Sequence, residues 1–299
     1  MAVRPLEADR RRGATGGARG LTLAELHDHG YETPAVAGSG AIALGLAASA
    51  STLGEVRVLA RSDSSAWRAE ETIEELCGKI DGADAERVRV TTSPNDVEGC
   101  DLIVEAIVED AEAKAAILAA LGEICPEADL ATTTSSLGIA ELGERAGIAD
   151  RFYGLHVFNP VPRMELIELC IPGTLPADIG ARARAFCGAL RKHVVEVPDE
   201  AGFVVNRLLF PYLFDAVRLL DELGLEPIEV DACMSKGAGQ PMGPLQLLDF
   251  VGLDVAIAIG EKLHAASGTE GHAPPERLLE MVAAGNLGRK SGAGFYKYG

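Results

Sequence analysis

This chain lacks the features that mark membrane-spanning and secreted proteins. Its 299 residues contain no run of eighteen apolar residues and no apolar core of the signal-peptide type near the start. These two absences lead us to expect a soluble cytoplasmic protein.

Basic residues are also scarce. The chain has 27 Lys and Arg against 45 Asp and Glu, which gives a formal net charge of −18. Proteins that bind the nucleic-acid backbone normally present a basic face, so this balance argues against a nucleic-acid partner. It also means that an anionic ligand has to be held by local groups, such as a helix N-terminus or a single Arg or Lys.

Paired cysteines are missing as well. None of the six cysteines belongs to a Cys-x-x-Cys pair, and none has a histidine at metal-ligand spacing. We therefore expect no metal site. The cysteines are predicted to be buried free thiols in a reducing compartment: Cys77, Cys100, Cys125, Cys170, Cys187 and Cys233.

The apolar segments that are present follow one pattern up to Val197 and a different pattern after it. After a polar tail at Met1–Gly20 and a short predicted helix at Leu21–His29, short apolar strands alternate with longer helices from Pro34 onwards. Such alternation predicts parallel strands joined by right-handed crossovers. Beyond Val194–Val197, only helical segments follow. The predicted fold is therefore α/β, a Rossmann-type doubly wound, mostly parallel sheet followed by an all-helical C-terminal domain.

A turn-forming stretch separates these two parts. It is Pro198-Asp199-Glu200-Ala201-Gly202, and we expect Gly202 and Phe203 to open the first helix after it. The predicted division is a tail with the short helix (1–33), a domain built on the sheet (34–199) and a helical domain (200–299).

A glycine turn joins the first predicted strand to the first long helix. Val36-Ala37-Gly38-Ser39-Gly40-Ala41-Ile42-Ala43 matches Gly-x-Gly-x-x-Ala, a dinucleotide-binding fingerprint. Gly38 allows the tight turn, Gly40 lets the backbone approach a pyrophosphate, and Ala43 permits close packing of helix on strand. The helix N-terminus adds free N–H donors for the phosphates.

The end of the second strand discriminates between NAD and NADP. An NAD site would carry Asp or Glu there for the ribose 2′-hydroxyl. This chain has Arg61-Ser62, and an arginine can accommodate a 2′-phosphate. Asp63 would support NAD if the strand ended later. We expect NAD or NADP, with Arg61 and Ser62 in the site and Arg61 favouring NADP.

A proline turn lies between two strand-like runs, Phe152–Phe158 and Met164–Cys170. The prolines disfavour helix, so the runs are predicted to form a hairpin that brings His156 against Glu168. A neutral imidazole beside an ionised carboxylate is the arrangement that a general base needs. The alternative is a buried histidine bonded only to backbone.

Five segments occur in a recognisable order. They are the glycine turn, Val104-Glu105-Ala106-Ile107-Val108-Glu109, Thr134-Ser135-Ser136-Leu137, the proline hairpin and Gly202-Phe203-Val204-Val205-Asn206-Arg207. Together they resemble the 3-hydroxyacyl-CoA dehydrogenase family, from about Ala35 to the C-terminus. Residues 243–249 and 288–296 also look like that family's second domain.

The resemblance implies an NAD(P)-dependent L-3-hydroxyacyl-CoA dehydrogenase, which transfers hydride between carbon 3 of an acyl-CoA substrate and nicotinamide. It also implies that the helical domain binds substrate and forms a homodimer. The residues that the resemblance places in the site are the base His156, its partner Glu168, the substrate-binding Ser135 and Asn206, and the cofactor-contacting Glu109 and Lys114.

Structural alternatives exist for several of these residues. Ser135 and Ser136 could only cap a helix predicted at Leu137–Arg145. Asn206 could bond a neighbouring loop, and Lys114 could pair with Asp110 at the helical i, i+4 spacing.

Two other functions also stay open. The first is a related dehydrogenase of a free hydroxy acid or sugar acid, of the gulonate type. The second is a non-catalytic nucleotide-binding protein with a structural or sensory role. The sequence does not identify the family's helical arm that clasps the CoA adenine, although Trp67-Arg68 and Glu70 to Lys79 occupy the corresponding helix, so CoA binding rests on the resemblance. The polar residues of the site favour the catalytic alternatives.

Overall fold

The computed structural model describes residues 29–299, so the tail and all but the last residue of the helix predicted at Leu21–His29 lie outside the described residues. Residues 29–299 form eight strands and ten α-helices. The strands are β1 (Pro34–Ala37), β2 (Val56–Leu59), β3 (Val88–Thr91), β4 (Leu102–Glu105), β5 (Asp129–Thr132), β6 (Phe152–Val157), β7 (Leu166–Cys170) and β8 (His193–Glu196). The helices are α1 (Ala41–Ala50), α2 (Asp63–Cys77), α3 (Ala111–Ile124), α4 (Ile139–Ala146), α5 (Ala177–Ala189), α6 (Val205–Leu223), α7 (Pro227–Ala232), α8 (Pro244–Val251), α9 (Leu253–Ser267) and α10 (Glu276–Ala283).

The eight strands form one sheet, in the order β3-β2-β1-β4-β5-β6-β7-β8. Strands β6 and β7 are the one antiparallel pair that the described residues show, and the other neighbours are parallel. The strand order reverses direction between β1 and β4, which is the switch point where doubly wound sheets bind ligands. The predicted α/β fold with a helical C-terminal part is confirmed.

The central strands are short apolar runs covered by helices on both faces. Strands β1, β4, β5 and β6 are buried along their whole length, as expected for a parallel sheet between two helical layers. Helices α1, α2 and α5 contribute to the core on one face, and helices α3 and α4 to the core on the other.

The helical part has a core of its own, built mainly on α6, α8 and α9. Helix α6 begins at Val205, so the prediction that Gly202 and Phe203 open it is wrong. Both residues have positive φ, +75° and +47°, which an α-helix cannot contain. Gly202 also allows a close approach, since a Cβ there would lie 2.5 Å from Leu263 of α9.

Other features of the described residues bear on the function. None of the helices in residues 29–299 is both long and apolar enough to cross a membrane. The same stretch contains no group of three or more His, Cys, Asp or Glu side chains placed to hold a metal ion. All six cysteines are free and five are buried as predicted, whereas Cys233 is exposed, in the π-helical turn Cys233–Gly237.

Candidate active site

The turn between β1 and α1 excludes a side chain at its first glycine. Gly38 has φ +143°, and a Cβ there would collide with the backbone oxygen of Ala106, just after β4. Such a position accepts only glycine without strain. Ala43 is fully buried one turn into α1 and packs against this point. Strand and helix therefore pack closely, as the motif predicts.

The second glycine leaves room for a ligand. Within residues 29–299, a Cβ on Gly40 would meet no atom within 4 Å other than those of its chain neighbours, so open space lies at the N-terminus of α1. This N-terminus has no side-chain cap and no acidic residue in its first turn, which leaves N–H donors for an anion. A dinucleotide pyrophosphate fits here, because it needs close backbone approach and unpaired donors.

The residues after β2 bear on the choice of cofactor. The chain leaves β2 with Ala60, whose methyl group cannot bind a ribose hydroxyl. Arg61 is exposed, and no hydrogen bond or ion pair engages its guanidinium within the described part of the chain. Ser62 caps α2 through a reciprocal capping box with Ser65. Asp63 is already helical, so the later strand end that would favour NAD does not occur.

Glu109, in the loop after β4, accepts hydrogen bonds from several polar groups in the loop after β5. Its Oε1 accepts hydrogen bonds from Thr134 Oγ1 (2.7 Å), Ser136 Oγ (2.8 Å) and the Ser135 N–H (2.9 Å). Its Oε2 lies 3.3 Å from Lys114 Nζ. Burial raises the pKa of this carboxyl, but the Lys114 ammonium and the hydrogen bonds outweigh burial and hold the pKa at about 2. The loop that carries Ser135 is thus fastened to an ionised carboxylate.

A buried ion pair lies behind this loop. Lys114 Nζ is 2.8 Å from Glu105 Oε1, and the two side chains are 1% and 0% exposed. Glu105 also accepts hydrogen bonds from Thr132 Oγ1 and from the Ile107 N–H, both at 2.6 Å. A buried ion pair persists when its remaining lone pairs are satisfied in this way. Lys114 therefore connects the end of β4 to Glu109.

The antiparallel pairing of β6 and β7 places His156 directly opposite Glu168. Nδ1 of His156 lies 2.7 Å from Oε2 of Glu168, and the side chains are 6% and 1% exposed. Burial raises the pKa of Glu168, but hydrogen bonds from His156 and from two backbone N–H groups outweigh it and lower the pKa. An ionised Glu168 accepts the Nδ1–H, so a neutral ring presents an unprotonated Nε2. The predicted contact is confirmed, and the backbone-bonded alternative is wrong.

Glu168 also joins the sheet to the helical domain. Its Oε1 accepts hydrogen bonds from the N–H groups of Val204 and Val205, both at 2.9 Å, where α6 begins. Asn206 comes next on α6 and is buried. Its amide makes no hydrogen bond to any residue in the 29–299 range, so the loop-bonding alternative is not found. The Asn206 amide, one residue after the backbone that binds Glu168, is therefore available to a ligand.

Packing fixes the rest of the hairpin. The rings of Phe158 and Phe203 lie 4.5 Å and 5.4 Å from the His156 ring, measured between centroids. The hairpin turn rests on α1, where a Cβ on Gly45 would lie 3.0 Å from Cβ of the buried Val161. The hairpin that carries His156 and the helix that follows the glycine turn are therefore in direct contact.

Two further structural alternatives are wrong. Helix α4 begins at Ile139, and the carboxylate of Asp199 accepts hydrogen bonds from the N–H groups of its first two residues, both at 2.8 Å. Ser135 and Ser136 therefore do not cap this helix. Asp110 caps α3 instead of pairing with Lys114.

Sequence reasoning missed two residues of this region. Glu105 had a signal, since it is a carboxylate at the end of the otherwise apolar strand β4. Lys262 of α9 had none, because its contact with Ser136 Oγ (3.0 Å) joins residues 126 positions apart.

Comparison with known proteins identifies the same family for both parts of the chain. Family models described as the NAD binding domain and the C-terminal domain of 3-hydroxyacyl-CoA dehydrogenase match residues 33–201 and 202–298. A Mycobacterium tuberculosis relative named 3-hydroxybutyryl-CoA dehydrogenase is 44% identical over 214 residues, which cover 70% of this chain and 74% of the relative. The crystal structure of M. tuberculosis FadB2 has a TM-score of 0.85 at 35% identity, covering 90% of this chain and 99% of that chain. The (S)-3-hydroxybutyryl-CoA dehydrogenase PaaH1 of Ralstonia eutropha has a TM-score of 0.84 at 33% identity, with the same coverage.

The two glycines of the turn should respond differently to replacement by alanine. Gly40→Ala fills the open space, so we expect dinucleotide binding to weaken by about tenfold, with the unfolding temperature changed by less than about 2 °C. Gly38→Ala should instead lower the unfolding temperature by about 4 °C or more, because of its positive φ and the contact with Ala106. Fluorescence titration with reduced dinucleotide and thermal unfolding measure both effects. Equal destabilisation by the two replacements would contradict this distinction.

Proposed function

Because the chain belongs to the 3-hydroxyacyl-CoA dehydrogenase family, we propose that it transfers hydride reversibly between carbon 3 of a (3S)-3-hydroxyacyl-CoA and a nicotinamide dinucleotide. A short substrate such as 3-hydroxybutyryl-CoA agrees with the names of its relatives. The observation that carries the proposal is the 2.7 Å contact between His156 Nδ1 and Glu168 Oε2. This pair lies near the carboxyl end of β6, in the sheet that carries the dinucleotide turn.

His156 acts as the general base in the oxidation direction. Its Nε2 accepts the proton of the 3-hydroxyl, and the hydrogen on carbon 3 leaves with its electron pair as hydride. The bound nicotinamide supplies the acceptor for that hydride and, in the reverse direction, the donor. Glu168 fixes the tautomer of the ring and stabilises the imidazolium that forms. In reduction, the same imidazolium returns the proton to the substrate oxygen.

The other site residues bind and orient. Ser135 and Asn206 donate hydrogen bonds to the substrate oxygens, from opposite sides of the junction between sheet and helical domain. Ser135 Oγ is suited to this because its contact with Glu109 Oε1 is long, at 3.3 Å. Glu109 would contact the ribose and nicotinamide part of a bound cofactor, and Lys114 holds the Glu109 carboxylate in position. Gly38, Gly40 and Ala43 form the pyrophosphate site.

The cofactor is a nicotinamide dinucleotide, and NADP is the form that we propose. Ala60 offers no carboxylate for a ribose 2′-hydroxyl, and the unengaged Arg61 offers a cation for a 2′-phosphate. Ser62, the residue after Arg61, caps the N-terminus of α2. In a protein of net charge −18, such a local cation is the kind of group that holds an added phosphate.

The helical domain, residues 200–299, is proposed to bind the acyl-CoA and to form a homodimer. Helix α6 carries buried residues on one face, while Leu208, Leu219 and Leu223 are 70%, 43% and 57% exposed. Ile228 on α7 is 63% exposed. Apolar side chains grouped on neighbouring elements favour an interface with a second copy.

Acetoacetyl-CoA reduction tests the activity and the cofactor together. We expect loss of reduced-cofactor absorbance with both cofactors, and a kcat/KM at least about tenfold higher with NADPH than with NADH. Arg61→Ala should remove most of this preference by weakening NADPH alone. Arg68→Ala, an exposed arginine further along α2, is the matched control and should leave the preference intact.

The outcomes separate the alternatives. Turnover of free acetoacetate or a free sugar acid without turnover of acyl-CoA would assign the chain to the free-acid dehydrogenases. Dinucleotide binding without turnover of either substrate class would favour the non-catalytic function. Turnover of acyl-CoA with a preference for NADH would contradict the assignment to Arg61 and leave the enzyme assignment standing.

Glu168→Gln tests the dyad. The carboxamide oxygen can still accept from the start of α6, but its NH2 group then faces His156 and forces the proton onto Nε2. We expect kcat to fall about 100-fold or more, while dinucleotide affinity changes by less than about twofold. Glu165→Gln, an exposed glutamate on the same hairpin, is the control. A kcat near that of the control would contradict the role of Glu168.

A further inference from the structure

The helical domain reaches the dinucleotide site through a lysine that the mechanism above does not use. Lys262 on α9 has its Nζ 3.0 Å from Ser136 Oγ and 3.5 Å from the backbone oxygen of Glu109. Ser136 follows β5, and Glu109 follows β4. The lysine thus spans from the helical domain to both loops at the carboxyl edge of the sheet.

Tight packing fixes α9 on both sides of this lysine. A Cβ on Gly260 would lie 2.5 Å from the Phe214 ring of α6. Leu263, the next residue after Lys262, lies 2.5 Å from where a Cβ on Gly202 would be. Both contacts are closer than a side chain allows, so α9 has little freedom to shift. The start of the Lys262 side chain is therefore held in place relative to the domain junction.

The Lys262 ammonium decides which atoms donate and which accept in the hydrogen bonds that link Lys262, Ser136 and Glu109. Lysine can only donate, so Lys262 uses a lone pair of the Ser136 hydroxyl oxygen. The hydroxyl proton then points to its other neighbour, Glu109 Oε1, at 2.8 Å. Bonds with charged partners at both ends are stronger than neutral ones. Without the lysine, the bond to Glu109 would be the one hydrogen bond of this hydroxyl that residues 29–299 provide, and the hydroxyl would lose its second, charged partner.

We propose that Lys262 is a positioning residue that couples the helical domain to the dinucleotide site, by orienting the Ser136 hydroxyl and, through it, the Glu109 carboxylate. The inference rests on the proposed function, in which Glu109 lies beside the ribose and nicotinamide part of the cofactor. Lys262 should therefore support dinucleotide affinity and act through Ser136. It should contribute little to acyl-CoA affinity, because within residues 29–299 its hydrogen bonds go to Ser136 and Glu109 and not to Ser135, Asn206 or His156.

A double-variant cycle on the full chain tests this coupling. The variants are Lys262→Met, Ser136→Ala and the two combined, titrated with reduced dinucleotide and followed by its fluorescence. We expect Lys262→Met to weaken binding about tenfold, and the combined variant to be within about twofold of Lys262→Met. Lys262→Arg should restore most of the affinity, since it keeps a cationic donor. In steady-state assays, KM for the dinucleotide should rise and KM for the acyl-CoA should stay near the wild-type value.

The controls separate coupling from general loss of structure. Lys236→Met, an exposed lysine in the π-helical turn, should bind like the wild type, and thermal unfolding should show all variants folded. Wild-type affinity in Lys262→Met would overturn the inference, as would a combined loss equal to the product of the two single losses. Because the readout is binding, a protein that binds dinucleotide without turning over acyl-CoA would overturn the proposed catalysis and not the coupling.

Discussion

The Glu168 carboxylate holds the histidine and the helical domain at the same time. One oxygen accepts from His156 Nδ1, and the other accepts from two N–H groups at the start of α6. A carboxylate that is 1% exposed is stable in its ionised form only when its lone pairs are satisfied in this way. The hairpin register, the entry of α6 and the orientation of the imidazole therefore depend on one another. A shift of β7 by one residue would turn Glu168 to the other face of the sheet and break all three contacts.

The other groups of the site lie together because each follows the carboxyl end of a parallel strand. The glycine turn follows β1, Glu109 follows β4 and the serine loop follows β5, so all three lie at one edge of the sheet. The groups available to an anion at this edge are local. They are the uncapped start of α1 and the exposed guanidinium of Arg61, in a protein of net charge −18. Acidic residues at this edge are either paired, as Glu105 is with Lys114, or surrounded by donors, as Glu109 is.

Most of the sheet and the His156–Glu168 contact could be predicted from local patterns. The alternation of strands and helices fixes the fold class, and the proline turn brings two particular side chains together. The start of α6 could not be predicted, because Gly202 and Phe203 have positive φ and Gly202 packs against Leu263, a residue 61 positions away on α9. The cap of α4 by Asp199 and the contact of Lys262 with Ser136 join residues 60 and 126 positions apart, and sequence periodicity carries no information on such pairs. Lys114 does not pair with Asp110 at the helical i, i+4 spacing, because its ammonium pairs with the buried Glu105 at the end of β4.

The tautomer of the neutral His156 ring shows whether the ring can accept a proton from the substrate. In protein labelled with ¹⁵N at its six histidines, two-dimensional NMR that correlates ring nitrogens with ring protons distinguishes the two neutral tautomers. His156→Ala identifies the relevant signals by their loss. We expect the neutral His156 ring to carry its proton on Nδ1 and to leave Nε2 unprotonated, as the bond to an ionised Glu168 requires. A ring protonated on Nε2 would contradict it, since that nitrogen could not then accept the substrate proton.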